Sequence, residues 1–164
     1  ADDGKYILIN YGTVSSQSAE KIRADILSCF DTTKLLLPKD KIKKIIVAVD
    51  GSVDGCKAVD RAIELAKKSG AHLDFVYVSS HINKDIPSDL IFDTIWGKLP
   101  EGITASKHVE SGSVHKAIVE LAKKEKADLI IMGSRGLGLF KGALIGSKSQ
   151  KVVEYSDIPV MVVK

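Results

Sequence analysis

The sequence predicts an α/β protein built on a parallel sheet. Three observations carry that prediction. Short apolar runs rich in β-branched residues recur, led by Lys44–Val49 (KIIVAV). Uninterrupted runs of this kind suit strands buried on both faces, as in parallel sheets. Segments with apolar residues at helical spacing lie between them, clearest at Val114, Ala117, Ile118, Leu121 and Ala122. The two patterns alternate from Lys44 to the end, which implies right-handed strand–helix–strand crossovers.

Taken in order, Lys44–Val49 is the first strand of the unit, and Asp50-Gly51-Ser52 ends it. A helix follows, with Cys56, Val59, Ile63 and Ala66 as its apolar stripe and Cys56 expected in the core. Ser69-Gly70 closes that helix, with Gly70 suited to a left-handed position. Leu73–Val78 is the second strand. Ser79–Gly102, with Pro87, Pro100 and the only tryptophan, reads as a loop plus a short helix whose inner side is Leu90, Ile91, Ile95 and Trp96. Lys107–Val109 is a short strand, and Ser113 is a candidate N-cap for the helix after it. Asp128–Met132 is a strand, Ser147–Tyr155 a helix, and Pro159–Val163 the closing strand.

The first 40 residues stand apart as an N-terminal strand–helix–strand extension. Tyr6–Ile9 reads as a strand, Ala19–Phe30 as a helix and Leu35–Leu37 as a strand stopped by Pro38. Residues Ile26–Leu37 align without a gap on Val152–Val163, aspartate on aspartate and one aliphatic run on another. The extension therefore resembles a degenerate partial copy of the last strand–helix–strand. Chance similarity of two such units is the alternative. A copied Leu35–Leu37 strand would pair with Val160–Val163 and protect that edge.

Bulk composition excludes several classes. The 164 residues are 45% hydrophobic and 27% charged, which fits a globular domain rather than a disordered chain. A net charge of +3, with scattered lysines, gives no nucleic-acid surface. Cys29 and Cys56 form no metal-ligand pattern, and His72, His81, His108 and His115 are dispersed. A reduced, cytoplasmic protein without membrane insertion is expected. Because the first residue is Ala1, a processed chain or a fragment of a longer protein is also expected.

The stretch Met132–Ser149 (MGSRGLGLFKGALIGSKS) holds five glycines in eighteen residues between a strand and a helix. Unpaired amides at a helix N-terminus attract anions, and glycine lets backbone approach them or take positive φ. The end of a parallel strand is also where open α/β sheets bind ligands. A P-loop needs Gly-Lys-Ser/Thr, whereas Gly146 is followed by Ser147-Lys148-Ser149. A dinucleotide fingerprint fails too, since three residues separate Gly138 from Gly142.

A third pattern matches. Gly133, two residues, Gly136, nine residues, Gly146 and Ser147 spell G-x2-G-x9-G-S. This resembles the nucleotide motif of the universal stress protein family. Lys44–Ser52, Ala127–Gly136 and Ser156–Val163 resemble its opening, fourth and closing strands, in order, within residues 41–164. The resemblance implies an open five-stranded parallel sheet with helices on both faces, of the adenine nucleotide α-hydrolase-like kind. It implies the branch that binds ATP; because the apparent N-terminal copy lacks these glycines, one site per chain is expected.

By position in the family, Asp50 would meet adenine or ribose, and the Val78 backbone would hold the adenine edge. Met132 and Gly133 would approach the ribose and α-phosphate. Gly136 would turn its amide to the phosphates, and Gly146 with Ser147 would close on the β- and γ-phosphates. A Mg²⁺ or Mn²⁺ ion would be held mainly by those phosphates. Each residue has a plainer role: Asp50 caps the next helix, Val78 is core, Ser147 and Gln150 form a capping box. Arg135 and Lys148 suit phosphate charge or a solvated surface equally.

Three functions follow from these readings. The first is an ATP-binding stress-response regulator, dimeric through its C-terminal strand, with at most slow hydrolysis. The second is an ATPase or phosphotransferase, for which no base or Walker-type lysine is evident. The third is a non-binding dimerisation domain of a longer tandem or transporter protein, against which the intact glycine spacing argues.

Overall fold

The computed structural model describes residues 8–10, 42–79, 86–137 and 145–164. Five parallel strands form the centre: β2 (Lys44–Ala48), β3 (His72–Ser79), β4 (Ala105–Ser111), β5 (Leu129–Gly133) and β6 (Val160–Val163). A sixth described strand, β1 (Leu8–Asn10), runs antiparallel along the outer edge of β6. The spatial order is β1-β6-β5-β2-β3-β4. Four helices are described: α1 (Val53–Ser69), α2 (Ser88–Trp96), α3 (Val114–Lys124) and α4 (Ser147–Tyr155).

The apolar runs are central strands because both of their faces are covered. Ile45, Ile46 and Val47 are fully buried on β2, as are Leu129, Ile130 and Ile131 on β5. Side chains alternate across the sheet, so neighbouring residues enter different cores. Ile45, Val47, Leu73, Phe75, Leu129 and Ile131 pack with α1 and α2. Ile46, Val76, Ile130, Met132, Val160 and Val162 pack with α3 and Val152 of α4. Asp128 fastens the entry of two central strands, its Oδ2 accepting the Lys43 and Lys44 amides at 2.7 and 3.0 Å.

Several expectations are met with longer elements, β4 above all. Gly70 closes α1 at φ 72° in the left-handed region. Ser113 is the N-cap of α3, although its hydroxyl bonds His115 rather than a backbone amide.

Three expectations are corrected. Cys56 is exposed, not core. The buried stripe of α1 is Gly55, Ala58, Val59, Ala62, Ile63 and Ala66, a seam of small residues that brings the helix close to the sheet. The inner face of α2 is Ile91, Phe92 and Ile95, whereas Leu90 and Trp96 are exposed. Trp96 still lies edge-on to Phe75 and Phe92, at centroid distances of 5.8 and 6.1 Å. The capping box at Ser147 is absent: Gly146 is the N-cap of α4, with no side-chain cap.

Of the strand expected at Tyr6–Ile9, Leu8 and Ile9 fall on β1, and the first two residues lie outside the described ones. The Ala19–Phe30 helix, the Leu35–Leu37 strand and the inner glycines Gly138 and Gly142 lie outside the described residues.

Candidate functional site

In a sheet ordered this way, β2 leads outward to β3, and the chain later returns on the other side of β2 to form β5. The crevice between the C-terminal ends of β2 and β5 is the topological switch point. A cavity of about 650 Å³ opens there. Its lining includes Asp50, Val78, Met132, Gly133, Gly136, Gly146 and Ser147, the seven residues nominated from the sequence.

The wall combines apolar side chains, Val76, Val78, Val114, Ile118 and Met132 among them, with polar groups from Asp50, Arg135, Ser147 and Lys148. Val114 and Ile118 come from α3 and were not nominated; the only sequence signal for them was a helical stripe that reads as ordinary core.

The turn after β2 is built by Asp50 and Ser52. Asp50 Oδ1 accepts the Ser52 amide at 2.9 Å, and Ser52 Oγ accepts the Gly55 amide at 3.1 Å as the N-cap of α1. Ser52 Oγ also donates to the Arg135 carbonyl at 3.2 Å, tying this turn to the segment after β5. The cap of α1 is therefore Ser52, not Asp50 as the plainer reading had it; Asp50 shapes the turn before it and stands on the cavity wall.

The glycines serve by their missing side chains. Gly133, Gly136 and Gly146 are absent from the positive-φ residues, and Gly146 has φ −71°. A Cβ on Gly133 would lie 2.7 Å from the Asp54 carbonyl carbon and the Gly55 nitrogen. One on Gly136 would lie 2.6 Å from Asp50 Oδ2. The expected gain in backbone freedom is therefore replaced by close packing of β5 and its loop on the start of α1.

The segment after β5 is anchored on three sides. The Ser134 amide donates to the Val163 carbonyl at 2.7 Å, and the Gly146 amide to the Ser134 carbonyl at 2.7 Å. Buried Ser149 donates its hydroxyl to the Gly133 carbonyl at 2.9 Å. Ser134 Oγ donates to Asp54 Oδ2 at 2.7 Å. These bonds fix the N-terminus of α4 against the cavity. With Gly146 as an N-cap lacking a side-chain cap, its leading amides are available to an anion.

Residues 41–94 and 97–164 match the model of the universal stress protein family. The chain belongs to the universal stress protein family. Universal stress protein YxiE of Bacillus subtilis is 31% identical over 145 residues, covering 74% of this chain and 98% of that protein. Universal stress protein MJ0531 of Methanocaldococcus jannaschii is 30% identical over 141 residues, covering 74% and 82%. A solved universal stress protein in complex with cAMP is 29% identical, with a TM-score of 0.62, covering 75% of this chain and 97% of that one.

Among the described residues of this universal stress protein, no group of three or more His, Cys, Asp or Glu is placed to hold a metal. Asp50 is the single carboxylate on the described cavity wall, so a divalent ion there would depend on phosphate oxygens for most of its ligands. No described helix is long and apolar enough to cross a membrane.

Proposed function

We propose that this chain binds an adenine nucleotide, ATP foremost, and acts as a nucleotide-dependent regulatory module of the stress response. The observation that carries the reading is the convergence of the motif residues on one cavity, whose wall joins apolar side chains with the N-terminus of α4. The relative in complex with cAMP supports an adenine ligand for this family member as well.

In this reading the base lies against Val78 and Met132, and the phosphates run toward Gly136, Gly146 and Ser147. Mg²⁺ or Mn²⁺ enters with the phosphates. Hydrolysis, if any, is slow in this reading. A cytoplasmic location belongs to the same reading. So does a homodimer through β6, which requires Leu8–Asn10 to leave that edge.

Thermal unfolding with ATP, ADP, AMP and cAMP tests the ligand. A nucleotide at a hundredfold excess over its Kd raises stability by about 2.7 kcal/mol. No shift with any of the four at millimolar concentration removes the reading.

A further inference from the structure

We propose that Arg135 reads the length of the phosphate chain, held until then by Asp54. The inference rests on the nucleotide-binding reading above and adds to it a means of telling a triphosphate from a monophosphate.

The backbone of Arg135 is fixed, while among the described residues its side chain is weakly held. Ser52 Oγ donates to its carbonyl at 3.2 Å, and the preceding carbonyl, of Ser134, accepts the Gly146 amide at 2.7 Å. The guanidinium makes one long ion pair, Nε to Asp54 Oδ2 at 3.8 Å, with the side chain 41% exposed. An ion pair that long and that exposed contributes little.

Asp54 does not depend on it. The Ser134 hydroxyl donates to Asp54 Oδ2 at 2.7 Å, and Lys57 Nζ lies 3.9 Å from Oδ1. Losing the arginine would leave no bare carboxylate.

Arg135 also stands where phosphates would arrive. It lines the cavity, and a Cβ on Gly146 would lie 3.7 Å from its Cα. The N-cap of α4 and the root of this side chain thus lie close together. Arginine and Lys148 are the cations on the described wall, opposed by Asp50. A guanidinium offers paired donors that match phosphate oxygens and bind them more strongly than a distant carboxylate. Exchange of Asp54 for a terminal phosphate is favourable when that phosphate extends past the α4 amides. A monophosphate, tethered to a base that lies against Val78 and Met132, leaves the arginine on Asp54.

Calorimetric titration of ATP and AMP into the wild type, Arg135→Ala and Asp54→Asn tests this. The expected result for Arg135→Ala is an ATP Kd raised about tenfold, as loss of a charge-assisted hydrogen bond implies, with AMP changed less than twofold. Asp54→Asn removes only a long, exposed pair, so it changes ATP affinity less than Arg135→Ala does and leaves AMP alone. Equal weakening of both nucleotides by Arg135→Ala, or no effect on either, overturns the proposal while leaving the nucleotide site standing. Failure of the wild type to bind either nucleotide overturns both. If Asp54→Asn does not fold, the ATP-to-AMP ratio of Arg135→Ala decides alone, since that variant keeps the Ser134–Asp54 bond.

Discussion

Gly133 is packed against backbone, not against a movable side chain. A methyl group there meets the Asp54 carbonyl carbon and the Gly55 nitrogen at 2.7 Å, and neither moves without shifting the start of α1. Gly133→Ala is expected to destabilise the fold by about 1–3 kcal/mol, the usual cost of overpacking, read as a lower denaturant midpoint. Lost nucleotide affinity in that variant therefore does not by itself identify a contact with ligand. The spacing of Gly133, Gly136 and Gly146 was legible in the sequence, but the cause of each glycine was not. For Gly133 and Gly136 it lies in Asp50, Asp54 and Gly55, far away in sequence, which no local pattern reveals. Cys56 shows the complementary error. Glycine carries no hydrophobic signal, so the stripe was started at Cys56 when Gly55, one residue earlier, faces the sheet.

Elements were legible where periodicity was strong. The boundaries of α4 are those expected, and the apolar runs of β2 and β5 are central strands. For α2, with nine residues rich in apolar side chains, more than one face reads as buried, and partners on β3 decide between them. The open N-terminus of α4 yields a prediction with opposed signs. Ser147 is exposed in the first turn. Ser147→Asp puts a negative charge at the positive end of the helix and should stabilise the free protein by about 0.3–1 kcal/mol. The same charge repels phosphate. Melting without ligand should rise, and the shift produced by ATP should shrink. A variant with a lower free melting temperature and an undiminished ATP shift would contradict the role given to this helix end.

At the scale of the whole molecule, alternation of strand and helix was legible, but lateral order was not. Nothing in the sequence says that β5 lies beside β2, and that adjacency makes the crevice. The opposite end of the sheet holds a polar cluster. Asp74, 2% exposed, accepts from His108 at 2.8 Å, and Lys44 Nζ reaches Glu125 at 2.9 Å and Asp74 at 3.6 Å. The Lys44 hydrogen bond holds the Glu125 carboxyl below its usual 4.5, and the Glu125 bond holds the Lys44 ammonium above 10.5 against partial desolvation, with help from Asp74. A lowered carboxylate stabilises the fold above its unfolded value and ceases to as pH falls through its folded one; a raised lysine does so below 10.5 and ceases to as pH rises through its folded value. Glu125→Gln should therefore lose stability against the wild type at neutral pH, and urea titrations should show the difference closing below pH 4.5. The sheet edge that β1 covers carries a kinetic meaning as well. Leu8 pairs with Val162 and Asn10 with Val160, so the earliest described strand meets the last. Pairings this remote in sequence close the largest loops and form slowly. During synthesis, Leu8–Asn10 is made long before Val160–Val162, so this pairing forms only after the intervening strands exist.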